Sequence, residues 1–232
     1  MGMNAKAAAE RRAEEQLDLL LRRYPLLETL RPDIEWACQL LCACYEAGGK
    51  LLIAGNGGSA ADAEHIVGEL MKGFKQPRRL SEEQQAKLIA ASPELGPVLT
   101  AHLQQALPAI ALDGHPALST AYLNDCDPLL CFAQQVNGYG RAGDVLLVIS
   151  TSGKSKNTLY AAVTARAKGM KVIGLTGAAE SPLLSLCDVC IRVPLQETYQ
   201  IQELHLPIYH CLCLMLETYF FGTEKNCPPL EW

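Results

Sequence analysis

No stretch of the 232-residue chain reaches the roughly 18 consecutive apolar residues that a membrane-spanning helix needs. The opening MGMNAKAAAERRAEEQ has no apolar core of the kind a secretory signal carries. Lys6 stands where a myristoylation signal prefers Ser or Thr. A basic excess is missing as well. Lys and Arg number 20 against 25 Asp and Glu, a formal net charge of −5, which argues against a nucleic-acid partner. The one local basic run, Lys72, Lys75, Arg78 and Arg79, reads as a solvated helix end and loop. Internal repeats and low-complexity tracts are also missing. These absences predict a soluble, cytoplasmic chain with neither a membrane nor a nucleic acid as partner.

Cysteine, in contrast, is plentiful: Cys38, Cys42, Cys44, Cys126, Cys131, Cys187, Cys190, Cys211, Cys213 and Cys227. Most sit inside apolar segments such as WACQLLCACY and YHCLCLML, where a free thiol packs as a small hydrophobe in a reducing compartment. Cys187 and Cys190 form a lone CxxC that runs into the strand-like IRVP. Buried thiols are a better reading of it than a redox or zinc pair.

With 49% hydrophobic residues, one core is affordable, and a single domain with additions is the default. Two helical patterns, 4–23 and 28–47, precede any strand and are separated near Pro25 and Pro32. Short apolar runs then alternate with helical stretches. Strands are expected at KLLIAG, PAIAL (108–112), DVLLVIS (144–150), KVIGLTG (171–177) and DVCIRVP, and a long helix at the C-terminal end. Continuous apolar strands alternating with helices predict an α/β fold: a five-stranded parallel sheet covered on both faces, a three-layer αβα sandwich flanked by N-terminal helices. The expected division is 1–48 for the N-terminal helices, 49–222 for the sheet domain and 223–232 for a tail. A helical insertion at about 75–107 opens at Ser81 as a cap.

In such sheets ligands bind outside the carboxyl ends of the strands, and two strand-to-helix loops lie there. In GNGGS, residues 55–59, the glycines free the backbone for a sharp turn toward a helix N-terminus, a natural place for an anion. The spacing matches neither GxxxxGK[ST] nor GxGxxG, and Ser59 with Asp62 reads equally as an N-cap arrangement. STSGKS is more informative. Ser150, Thr151, Ser152 and Ser155 place four hydroxyls in six residues. One of them, Ser155, suffices to cap a helix, whereas a phosphate monoester would use them all.

His65 and Glu69 are four apart and share a helix face; taken alone they read as a solvated pair. In YQIQELHLPIYHCL, Gln202, His205 and His210 interrupt a very apolar helix, and buried polar groups need partners. Pro207 between them should kink that helix. A site built from His65, Glu69, Gln202 and His210 across two helices is the sharper reading. Two imidazoles, a carboxylate and an amide oxygen could bind Zn²⁺, although Gln is an unusual ligand. The same Glu and His could instead act as base and acid.

The motifs GNGGSAADAEH…GEL, NDCDPLLCFAQQV, GDVLLVISTSGKSKN, GMKVIGLTG, CDVCIRVP and IQELH…YH resemble those of the sugar isomerase (SIS) domain, and within it the phosphoheptose isomerases. The resemblance runs from about residue 30 to 220, apart from the insertion. It implies aldose–ketose isomerisation of a phosphosugar, sedoheptulose 7-phosphate to D-glycero-D-manno-heptose 7-phosphate, through an enediol. By the same resemblance Asn56, Gly57, Gly58 and Ser59 hold substrate, and Asn124 and Asp125 stand beside the sugar. Ser150, Thr151, Ser152 and Ser155 bind the phosphate, with Gln202 and Glu69 also contacting substrate. Glu69 and His210 are the implied catalytic pair, and His65, Glu69, Gln202 and His210 the implied zinc ligands. A homotetramer with sites between subunits is implied too. Two other readings stay open: a non-catalytic phosphosugar-binding SIS regulator and an isomerase of another phosphosugar. The ETYQ before Gln202 and the segment GHPALSTAYL both depart from the family pattern.

Overall fold

A computed structural model describes residues 3–222; the expected tail, 223–232, lies outside the described residues. Helix α1 (Met3–Arg23) is followed by a tight 3-10 turn at Pro25–Leu30, and α2 (Arg31–Glu46) carries Pro32 in its first turn, where a missing N–H costs nothing. The α/β rhythm then runs β1 (Leu51–Gly55), α3 (Gly58–Met71), α4 (Glu82–Ala91), α5 (Gly96–His102) and β2 (Ala109–Ala111). It continues through α6 (Pro116–Asp125), α7 (Cys131–Tyr139), β3 (Val145–Ile149), α8 (Lys156–Ala167), β4 (Lys171–Thr176), β5 (Val189–Arg192) and α9 (Thr198–Phe221). Helix α9 runs unbroken through Pro207.

All five strands pair in parallel in the order β2-β1-β3-β4-β5. Alternate residues divide the core in two. Leu51, Ile53, Leu147, Ile149 and Ile173 face α1, α2, α3 and α9, while Leu52, Ala54, Leu146, Val148 and Val172 face α7 and α8. Each buried aliphatic side chain of this kind contributes about 1.5–3 kcal/mol. Helix α1 lays Ala9, Ala13, Leu17, Leu20 and Leu21 along α9, spacings of four and three that keep them on one face.

This strand order positions the site. From β1 the chain turns one way to β2 and then crosses back to β3 on the other side, so a crevice opens at the carboxyl ends of β1 and β3. Both expected loops lie there, since GNGGS follows β1 and STSGKS follows β3. The insertion forms a pair of helices, α4 and α5, that pack on each other. Ser81 and Gln84 form a capping box at the start of α4. None of α4's side chains is buried.

Most of the segment GHPALSTAYL forms α6, which buries no side chain and so shows no apolar period. One sequence expectation needs correction. Arg78 is not solvated. It is 1% exposed and ion-paired to Glu217 of α9 at 2.9 Å.

Candidate active site

Helix α3 begins at Gly58, directly after the tight turn at Gly57, whose φ of +58° suits glycine. No side chain caps it. Ser59 is buried, and Asp62 turns instead toward α9, where its Oδ1 accepts a 3.1 Å hydrogen bond from the Tyr209 hydroxyl. The N-cap arrangement of Ser59 and Asp62 is therefore not used. The Gln202 amide packs closely on Gly58: a Cβ there would come within 2.8 Å of its Nε2, so a larger residue would push the amide aside.

One turn further along α3, the two helices bring three groups together. His65 Nε2 lies 3.3 Å from Glu69 Oε1 and 3.5 Å from His210 Nε2, across 145 residues of sequence. The two imidazole rings meet edge to face, 4.9 Å apart. Glu69 is largely enclosed, at 13% side-chain exposure, with Lys72 Nζ 3.3 Å from its other oxygen. Burial, and next the neighbouring His65, push the His210 imidazole below its ordinary value; Glu69 opposes them. His210 is therefore neutral near pH 7, able both to give and to take a proton. It opens on a 470 Å³ cavity between α1 and α9, against Arg23, Tyr24, Phe74 and Lys75.

The loop after β3 is held by its backbone. The Thr151 carbonyl accepts from Gly177 N–H at 3.1 Å, and Gly153 takes φ +61°. Ser155 stands at the N-cap of α8 but makes no capping bond; its hydroxyl lies 3.5 Å from that of Ser150. The N-terminal end of a helix of 12 residues therefore faces this loop without side-chain capping by Ser155. Thr151 and Ser152 line a 130 Å³ cavity with Gly177 and Ile201. The loop after β1 is tied to the first turn of α8 by two reciprocal amide bonds, Asn56 to Asn157 at 3.0 Å and Asn157 to Asn56 at 2.8 Å.

A 360 Å³ cavity opens beside this tie, lined by Asn56, Gly57, Asp113, Ser119, Thr120 and Asn157 among others. Asn124 and Asp125 do not line it. They sit exposed at the end of α6, bonded to each other at 2.6 Å. Sequence reasoning missed Asp113, whose Oδ1 is buried without a hydrogen-bond partner, and Ser119, Asn157 and Tyr209. Asn157 follows directly on the STSGKS motif and could have been read with it, whereas Tyr209 lies in an apolar run that reads as core.

The donor types at His65, Glu69, Gln202 and His210 suit zinc. The 3.3 and 3.5 Å separations match the edge of a tetrahedron with metal–ligand bonds of about 2.0–2.1 Å. The set does not close, however. Among the described residues no three His, Cys, Asp or Glu side chains converge as a metal site requires, and Gln202 lies against Gly58. As arranged, His65, Glu69 and His210 form a polar contact cluster, with Gln202 apart from it, rather than a metal cage.

Comparison with known proteins decides the family. The SIS domain profile matches residues 18–88 and 85–177. The chain belongs to the SIS domain family. Among SIS proteins it is 40% identical to a phosphoheptose isomerase of Rhodospirillum rubrum, over 80% of this chain and 85% of that one. It is 38% identical to the phosphoheptose isomerase of Thiobacillus denitrificans, over 85% of this chain and 89% of that one. The structure of a phosphoheptose isomerase from Francisella tularensis superposes on this SIS fold with a TM-score of 0.68 at 33% identity, covering 88% of this chain and 95% of that one. A phosphoheptose isomerase from Neisseria gonorrhoeae gives 0.63 at 31%, covering 89% and 91%.

Proposed function

We propose that the chain is a phosphoheptose isomerase that interconverts sedoheptulose 7-phosphate and D-glycero-D-manno-heptose 7-phosphate through an enediol. One observation carries the reading: in a chain that shares the fold of phosphoheptose isomerases, α3 and α9 bring Glu69 and His210 against His65. An aldose–ketose isomerisation moves one proton between neighbouring carbons and another between their oxygens. That takes one carboxylate base and one group able both to donate and to accept. Glu69 removes the proton alpha to the carbonyl and returns it to the neighbouring carbon. His210, held neutral by burial, moves the proton at the sugar oxygens.

The phosphate is assigned to Ser150, Thr151, Ser152 and Ser155, where Ser155 makes no capping bond and the α8 dipole favours an anion. Asn56 to Ser59 hold the rest of the sugar, with Gln202 close by. Zn²⁺ remains a proposal of donor type. His65, Glu69, Gln202 and His210 would hold it after side-chain rotation, and it would supply polarisation of the carbonyl. A Glu69 bound to metal is not a free base, so no step here runs through it. A homotetramer is proposed as well, supported by the exposed Leu26 and Trp36 on the N-terminal helical segment and Tyr199 and Leu206 on α9. No helix among the described residues is long and apolar enough to cross a membrane. The nine described cysteines are free, as suits a reducing cytoplasm.

The test is to incubate the purified protein with sedoheptulose 7-phosphate, with and without Zn²⁺, and assay the aldose. Turnover supports the proposal. Tight binding without turnover identifies a non-catalytic phosphosugar-binding module, and turnover of a different phosphosugar alone identifies another isomerase.

A further inference from the structure

Asn157 has no part in the proton transfers or phosphate contacts just described, yet it holds a residue assigned to the sugar. It stands in the first turn of α8, where Ser155 makes no capping bond and the backbone N–H groups lack helical partners. One of these, Thr158 N–H, donates to Asn157 Oδ1 at 3.0 Å. Thr158 is fully buried, so that donor is fixed in the body of the helix. A backbone N–H can only donate, which decides how the Asn157 amide is turned: its oxygen faces the helix. The Asn56 amide must then be turned to match. Asn56 Nδ2 donates to the same Asn157 Oδ1 at 3.0 Å, and Asn157 Nδ2 donates to Asn56 Oδ1 at 2.8 Å. Flipping either amide would set hydrogen against hydrogen and oxygen against oxygen. Both lone pairs of Asn157 Oδ1 are filled, and what is left of the Asn56 amide is one Nδ2 hydrogen and one Oδ1 lone pair. The Asn56 backbone is held as well, since its carbonyl accepts from Ser59 N–H at 3.0 Å. Asn56 is exposed and borders the 360 Å³ cavity, so its remaining capacity is open to a ligand.

We propose that Asn157 is a positioning residue that holds the Asn56 amide in one orientation, with one donor and one acceptor left for a sugar hydroxyl. A hydroxyl both gives and takes a hydrogen bond, so it can use both. An amide free to turn would lose its rotamer freedom when substrate arrives, whereas this one has lost it already. The gain falls on binding, so it lowers KM rather than raising kcat. Asn157 need not touch the sugar for this. It also follows Ser155 by two residues, so the same pair of bonds sets the turn assigned to the sugar in register with the loop assigned to the phosphate.

The kinetic arm of the test rests on the isomerase reading, and the spectroscopic arm does not. The full-length protein, deuterated and labelled with ¹⁵N-asparagine, is examined by ¹H–¹⁵N correlation, with the Asn56 and Asn157 side-chain signals assigned by their loss in Asn56→Ala and Asn157→Ala. The parent is expected to show one downfield, slowly exchanging Nδ2 hydrogen on Asn56. In Asn157→Ala that hydrogen is expected to move upfield and exchange fast; in Asn157→Asp, which keeps the acceptor, it is expected to stay. With sedoheptulose 7-phosphate, Asn157→Ala is expected to raise KM about fivefold and to change kcat less than about twofold. In an Asn56→Ala background the same substitution is expected to change KM less than about twofold, because Asn157 acts through Asn56. Asn157→Leu, similar in shape and without polar atoms, serves as the second variant should Asn157→Ala fold poorly. A parent Asn56 amide with no bonded hydrogen, or a signal unmoved in the folded variants, overturns the proposal. So does a KM left at the parental value, or a KM effect of equal size in both backgrounds. A parent that shows the fixed amide but turns over no sedoheptulose 7-phosphate overturns the isomerase reading and leaves the positioning of Asn56 standing.

Discussion

His205 and Gly153 show how far single residues set the chemistry. His205 is fully buried, three residues after Gln202, and neither ring nitrogen has a hydrogen-bond partner of ordinary geometry. Burial lowers its pKa to about 4, against a weak pull from the Thr176 carbonyl. In the unfolded chain it takes up a proton near its ordinary value of about 6.5. Between the two the unfolded state binds more protons, so stability falls as pH drops from about 6.5 toward 4. The slope of Tm against pH over that window is expected to flatten in His205→Leu, and an unchanged slope would assign the effect to other groups. Gly153 holds φ +61°, and a Cβ on it would lie 2.2 Å from Ser181 Oγ. Gly153→Ala is therefore expected to distort the hydroxyl loop and raise KM about tenfold, roughly 1.4 kcal/mol, with kcat less affected. At this scale the sequence was legible where a residue type is conspicuous. His65, Glu69, Gln202 and His210 stand out as polar groups in helical spacing. Tyr209 does not, because it lies in an apolar run that reads as core, and its bonds to Asp62 and His65 are made across two helices, which nothing local in the chain records.

Helices α3 and α9 are fastened to each other by a buried ion pair. Glu217 of α9 accepts from Phe74 N–H at 2.7 Å, Lys75 N–H at 2.8 Å and Gln76 N–H at 3.2 Å, and from Arg78 Nε at 2.9 Å. Arg78 in turn donates to the carbonyls of Leu70 at 2.6 Å and Glu69 at 2.9 Å, the last turn of α3. This holds the helix that carries His65 and Glu69 against the one that carries His210. Removing one partner leaves a buried charge unpaired, so Glu217→Ala is expected to lose about 3–5 kcal/mol of unfolding free energy in urea. A loss below about 1 kcal/mol, the scale of an exposed pair, would contradict this role. The strands and most helices were legible because their apolar periods are clean. Arg78 was misread because it lies in a basic run, where a solvated helix end is the ordinary expectation. Helix α6 was missed because it buries nothing and so carries no period.

For the molecule as a whole, the parallel sheet places both loops at the carboxyl edge, and the order β2-β1-β3-β4-β5 opens the crevice between them. That much follows from alternating apolar strands and helices. The course of the insertion does not, since its helices pack chiefly on each other and its two ends pair through the Arg79–Gln104 bridge. Replacing residues 81–102 by a short Gly-Ser loop is expected to shift Tm by less than about 4 °C, the equivalent of about 1 kcal/mol in a chain of this size. A larger loss measured by calorimetry would show that the insertion is part of the core. The measurement that bears most directly on function is the turnover of sedoheptulose 7-phosphate by the parent and by Glu69→Gln, with folding of both checked by circular dichroism. The parent is expected to form the aldose, and the variant to lose about 10²–10⁴-fold in kcat, the contribution of a positioned base. A folded Glu69→Gln that turns over at the parental rate would contradict the assignment of Glu69 as the base that drives the isomerisation.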